Sequence, residues 1–423
     1  MGIPTYGIRE VAKVAHDPEK LSKLFSELLT INVLMTLLLL FPFSFFLFTL
    51  PQFHPDNEIY WIAGLLLVTG FMTIDWLYTG TEQFRFLSLR SVIIKTISLA
   101  ALFLFVHTPE DLIIYLLINV LAVITTNIWN LFNLPVKIRI SFRNLELRKH
   151  ASGLTVLFLI TLAISVYTLA DVLILRIFTD NQSVGFYTAA IKINKILIPV
   201  VTTLGVVLMP QVTQCLAAGD RTTLRTLTDR SFSYICLLGI PISAGLLVFA
   251  PEIMILFSGA GFEGAIPAMQ ISAALAILIG LGHLFGLQVL VPGGYEKKYL
   301  LATLAGMVVS LTINLLLIPV WKEQGAALAM VISEVMVTGV SFWFVNRIFS
   351  LRFNWTLILK SVAACLIFIP VALLLREIID GLLLRLIIAL LACSGLYFLI
   401  QVALFRDRHM REAALLVTNN FLR

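Results

Sequence analysis

The chain has 423 residues, 59% of them hydrophobic and only 13% charged, with a mean hydropathy of +0.98; soluble domains are roughly half apolar and about one-quarter charged. That composition excludes a soluble globular enzyme. The net charge of +6 reads as membrane topology rather than a nucleic-acid surface, because cationic loops beside apolar spans are what insertion requires on the cytoplasmic side.

In chain order, apolar runs cover 24–50, 58–79, 86–106, 110–132, 152–178, 184–209, 231–250, 266–290, 299–319, 324–348, 356–376 and 382–405. Each is long enough to cross a bilayer as a helix, which satisfies its own backbone. The expected fold class is therefore an all-α polytopic membrane protein of about twelve transmembrane helices. The first twenty residues contain no compact apolar core of a signal peptide. Cys215, Cys236, Cys365 and Cys393 have no metal-ligand spacing, so neither a disulfide framework nor zinc, and no other metal or cofactor, is expected.

Positive charge sorts between alternate loops. Arg9, Lys13, Lys20, Lys23, Arg85, Arg90, the basic residues from Lys137 to Lys149, Arg221, Arg225, Arg230, Lys297, Lys298, Arg347, Arg352 and the tail arginines Arg406, Arg408, Arg411 and Arg423 fall on one side. Lys322 and Arg376 fall on the other. The positive-inside rule makes the rich side, with both termini, cytoplasmic. No loop is large enough for a folded domain, including the outer loops 51–58 and 107–111.

An internal repeat is visible. Residues 15–21 match 218–224 at an offset of 203, and Leu77, Gly80 and Phe86 match Leu290, Gly293 and Tyr299 at an offset of 213, as do 107–109 and 320–322. The reading is two lobes in parallel repeat: an N-lobe of four helices at 1–140, a C-lobe of six at 151–350, and two further helices with a tail at 351–423. Two helices precede the Asp220 loop and none the Asp17 loop, so the repeat predicts a first lobe without its first two helices and a truncated or misassigned start at Met1. Substrate is expected between the lobes.

Charges in hydrocarbon cost about 2.5–3.5 kcal/mol each and normally face a cavity or a partner. Asp171 and Lys192 are placed at similar depth and are either an interhelical brace or, with Lys195 one turn on and Asn194 nearby, part of an anion-holding face. Lys95 and Glu334 either line a cavity or pair between lobes. Asp75, opening DWLYTGTE, lies close to the cytoplasmic face. Arg176 snorkels or faces the outer mouth; His283 and Gln288 pack or relay protons.

The segments GIPTYGIREVAKV (2–14), DWLYTGTEQFRFLSLRSVIIK (75–95), VGFYTAAIKINK (184–195) and GLQVLVPGGYEKKY (286–299), in this order, resemble the bacterial polysaccharide-biosynthesis flippases. These are Wzx-type translocases of O-antigen or capsule repeats, within the multidrug/oligosaccharidyl-lipid/polysaccharide exporter superfamily. The resemblance spans nearly the whole chain and implies two six-helix lobes followed by two extra helices, with two helices upstream of the Tyr6–Arg9 loop. It implies a bacterial inner-membrane protein that moves an undecaprenyl-pyrophosphate-linked oligosaccharide outward, beside a polysaccharide polymerase and chain-length machinery. Arg9, Lys95, Lys192, Lys195 and Asn194 are then the expected anion and glycan ligands, with Asp171, Glu334 and Asp75 as gating or ion-coupling acids. With no GxxxxGK[ST] phosphate loop, ATP is not the expected driver. The rival readings are an ion-coupled multidrug antiporter of the same superfamily, which needs acids rather than lysines in its cavity, and a membrane glycan polymerase or ligase, which needs catalytic groups on a substantial outer loop.

Overall fold

A computed structural model describes residues 2–49, 57–134, 138–142, 144–351 and 353–405. Most of loop 51–58, with Lys137, Arg143, Arg352 and the four tail arginines, lies outside the described residues. Among these residues every regular element is helical. The chain groups into two compact units, Met1–Phe158 and Leu159–Arg423.

The first unit contains α1 (Ile3–Val14), α2 (Pro18–Thr49), α3 (Asn57–Val68), α4 (Asp75–Gly80), α5 (Phe84–Phe105) and α6 (Leu112–Phe132). The run 58–79 is not one regular helix: α3 tightens into a 3-10 turn at Thr69–Met72, and Thr73 is extended before α4 begins. Side chains satisfy what the break frees, since Asn127 Nδ2 donates to the Thr69 carbonyl (3.3 Å) and the Trp76 indole to the Thr73 carbonyl (3.1 Å). Inside a bilayer such backbone persists only with this kind of compensation.

The next helix, α7 (Arg148–Phe178), leads into the second unit, which contains α8 (Asn181–Ala218), α9 (Arg221–Val248), α10 (Ala250–Ser258), α11 (Ile266–Ser272), α12 (Leu275–His283), α13 (Glu296–Phe349), α14 (Thr356–Cys365), α15 (Phe368–Ile378) and α16 (Leu382–Leu399). The run 266–290 is likewise broken: α11 and α12 are bent by 40°, and α12 continues as a π-helical turn at Leu284–Leu290. The offset of 213 residues carries the break at 70–74 onto 283–287, where the helix of the second unit continues but widens into the π-helical turn.

Ten described helices are long and apolar enough to cross a membrane, eleven with the bent pair. The expected runs 299–319 and 324–348 are merged in the 54 residues of α13. At about 1.5 Å per residue that length far exceeds a bilayer core of about 30 Å. The helix reverses at Lys322 (φ 46°, ψ −127°), and Gly306 packs against Val337, so α13 is two antiparallel limbs. Helices also run past the apolar runs that mark them: α9 starts at Arg221 rather than 231, because hydropathy reports the lipid-facing stretch and capping sets the end. Gly219, in the left-handed region at φ 71°, closes α8, and the Asp220 carboxylate accepts from the Thr222 and Thr223 amides at 3.1 Å. Asp17 caps α2 in the same way through the Lys20 amide (3.2 Å), which gives the Asp17/Asp220 match its physical reason.

Candidate functional site

Among the described residues the second unit buries three carboxylates, of which Glu252 pairs with Arg376 at 2.6 Å, while the other two have no such cation. Asp171 on α7 is fully buried and accepts from Tyr187 Oη (2.8 Å, α8), Asn314 Nδ2 (2.6 Å) and Ser310 Oγ (3.3 Å), both on the first limb of α13. Glu334, on the second limb, is 7% exposed and accepts from Tyr167 Oη at 2.8 Å. Neither acid has a cationic partner within ion-pair distance among the described residues. Three neutral donors converge on Asp171, an arrangement that tolerates a buried charge and also suits exchange of a proton or small cation.

Lys192 does not brace Asp171. Both Lys192 and Lys195 are exposed on α8, without a hydrogen bond or ion pair among the described residues, although the Lys195 charge reaches Asp171 electrostatically. The helix period explains the division: Tyr187, Ala190, Ile191 and Asn194 form the buried face, while Thr188, Lys192, Lys195, Pro199 and Thr203 form an exposed stripe. Lys192 and Lys195 stand about 17 and 21 Å along the helix from its start. Asn194 is on the other face, fully buried, donating to Ser272 Oγ at 2.9 Å and leaving its own Oδ1 unpaired.

The first unit solves its charge problem differently. Arg90, counted above as a loop charge, is 4% exposed inside α5 and pairs with Asp75 at 2.8 Å. Asn130 completes the cluster, accepting from Arg90 and donating to Asp75 at 2.6 Å. Asp75 keeps about half of its side chain exposed. Lys95, five residues beyond Arg90 on α5 and so on a different face, is exposed with no partner among the described residues.

Arg9 is buried, lies over the Tyr6 ring (5.0 Å) and bonds Glu10 (2.7 Å). Burial pushes the Glu10 carboxyl up, but Lys13 and Arg9 beside it hold it below the usual range. Tyr6 Oη meets His150 Nδ1 (2.8 Å), and His150 Nε2 meets Glu27 (2.9 Å), whose carboxylate also takes Lys149 and the Glu146 amide. Glu27 and His150 were missed because each is one polar residue in an ordinary-looking helix end, as were Ser310 and Asn314; the latter two stand at i and i+4 in an apolar run, which was a legible signal. His283 stands against Gly205, and Gln288 bonds Ser231 (2.7 Å). Cys236, Cys365 and Cys393 are buried, and all four cysteines are free.

Comparison with known proteins agrees with the fold and narrows the family. The chain is 26% identical over 349 residues, 80% of its own length and 82% of the relative's, to a protein of Escherichia coli (strain K12) named as an O-antigen transporter. Among solved structures it resembles an outward-facing multidrug resistance MATE family transporter of the MOP superfamily (TM-score 0.69, 14% identity, covering 82% of this chain and 84% of that one). It also resembles the lipid II flippase MurJ in an inward closed conformation (TM-score 0.65, 15% identity, 96% and 90%). These two likenesses show a membrane-transporter fold. The model of the family described as polysaccharide biosynthesis protein matches residues 1–216, just over half of the chain, and the protein belongs to that family.

Proposed function

We propose that this protein is a flippase that carries an undecaprenyl-pyrophosphate-linked oligosaccharide from the cytoplasmic to the outer face of a bacterial plasma membrane by alternating access. The fold serves drug export and lipid transfer alike, so it does not choose between them. The observation that carries the choice is the exposed α8 stripe, where Lys192 and Lys195 stand deep in a membrane span without partners among the described residues. A lysine there costs about 2.5–3.5 kcal/mol against hydrocarbon, a cost that a pyrophosphate offsets. The O-antigen name of the Escherichia coli relative points the same way. Lys95 is proposed as a further anion ligand and Arg9 as part of the cytoplasmic entrance, its burial making it a positioning group for Tyr6. Asn194 packs α8 to the helix carrying Ser272 and so orients the lysine face. Both termini are assigned to the cytoplasm by the distribution of lysine and arginine, and a polymerase with its chain-length machinery is the expected consumer of the cargo.

A polyhydroxylated glycan cannot cross lipid unaided, since each unpartnered hydroxyl costs a few kcal/mol. In this reading Asp171 and Glu334 couple transport to a proton or small cation, and the half-exposed Asp75, held by Arg90, gates. The same two acids favour a second reading, an ion-coupled multidrug antiporter. The deciding experiment expresses the chain in a flippase-deletion strain and scores surface polysaccharide. The expected result is restoration by the wild type and loss by Lys192→Gln with Lys195→Gln. Drug resistance without polysaccharide would establish the antiporter instead.

A further inference from the structure

The first unit holds a cavity that none of the charged residues enters. It measures about 230 Å³ and lies where α2 passes the broken span, between Asn32 and Thr36 on α2 and Gly70 and Thr73 at the break. Its remaining walls are apolar, including Leu39, Leu66 and Leu67. Asn32 and Thr36, one helical turn apart, stand at the middle of the 32-residue α2, the depth at which polar side chains are costliest.

Hydroxyls in this unit ordinarily turn back onto their own helix. Thr30, Thr69, Thr79, Thr81 and Thr126 each donate to the carbonyl four residues earlier. Thr36 does not, and neither the Thr73 hydroxyl nor the Asn32 amide has a hydrogen-bond partner among the described residues. A methyl at Gly70 would lie 3.8 Å from Thr36 Oγ1, so the absent side chain keeps the space open. Three unpartnered polar groups of neutral charge thus share one cavity at a break in a membrane span. Breaks within membrane spans are where transporters bind cargo, and 69–74 is such a break.

We infer that this notch is a sugar subsite, in which Asn32, Thr36 and Thr73 bond the hydroxyls of one sugar residue and the leucines take its C–H face. The chemistry selects a neutral polyol: the lining has no charge to hold pyrophosphate, offers both donors and acceptors, and has room for several waters or one ring. The inference rests on the flippase reading and separates glycan recognition from the anion recognition given to the lysines.

The test uses isosteric changes in the deletion strain. Asn32→Leu with Thr36→Val and Thr73→Val is expected to lower surface polysaccharide at least tenfold at equal membrane abundance, while Thr36→Ser keeps wild-type export. A second arm places Thr36→Cys in a chain whose four native cysteines are replaced by alanine and measures N-ethylmaleimide labelling in membranes. Lipid-linked glycan extracted from the host should slow labelling several-fold, and bare undecaprenyl pyrophosphate should not. Equal protection by the bare carrier, no protection, or no labelling at all overturns the sugar subsite, as does full export by the triple variant. Failure of the wild type to export overturns the flippase reading alone, because the labelling arm still reports on the notch.

Discussion

Two acid sites of this protein, Asp75 in the first unit and Asp171 with Glu334 in the second, are held by opposite means. In the first, Asp75 is answered by a cation, the buried Arg90, and both are tied to Asn130. In the second, Glu252 is likewise answered by Arg376, but Asp171 and Glu334 have no cation within ion-pair distance among the described residues and rely on Tyr187, Asn314, Ser310 and Tyr167. Packing differs in the same direction: 6% of the most apolar stretch of α2 is buried against protein, and 50% of that of α9. A lone buried carboxylate is tolerable only where several helices bring donors to it, which the tightly packed unit provides. The lesson is that an ion pair there is a structural brace, whereas an acid solvated by neutral groups is free to take up and release a cation or proton.

The comparison can be broken by mutation, most strongly at its centre. Asp171→Leu strands the Tyr187 and Asn314 donors and should cost about 2–4 kcal/mol, read as a lower unfolding temperature in detergent. Asp171→Asn should leave stability nearly intact yet abolish export, and export at wild-type level by Asp171→Asn would end its coupling role. Next come the close helix approaches. A methyl at Gly286 would strike the Tyr299 ring, and one at Gly7 would lie 2.6 Å from Trp76; each Gly→Ala change should cost about 1–3 kcal/mol. A clearly smaller loss at Gly7 would confirm that the first unit yields more easily.

Arg90→Met is expected to be milder, about 1–2 kcal/mol, because half-exposed Asp75 can turn to water once its partner is gone. Lys192→Gln with Lys195→Gln should change stability by less than about 0.5 kcal/mol, since both are exposed, while polysaccharide export is lost. The smallest effect concerns Asp220. The Thr222 hydroxyl and the Thr223 amide hold its carboxyl well below the usual range. Its contribution is therefore complete above about pH 4 and is lost as pH falls through its native value. Asp220→Asn should flatten that acid limb of a pH–melting curve slightly and leave the neutral end unchanged.

Much of the architecture was legible in the residues themselves. Length and hydropathy determined a polytopic helical protein, because hydrocarbon admits only segments that satisfy their own backbone. The Asp17/Asp220 match determined two equivalent helix starts, because a cap is a local interaction among residues three apart. The deep lysines were visible as charges out of place. What only the tertiary structure decided is which polar groups meet. Asp171 and Lys192 lie on neighbouring helices and still do not pair, because the helix period turns Lys192 away from the face that carries Tyr187. Arg90 reads as a topogenic loop charge until α4 and α6 bring Asp75 and Asn130 to it. Asn314 reaches Asp171 from 143 residues away, a distance over which no sequence period carries information.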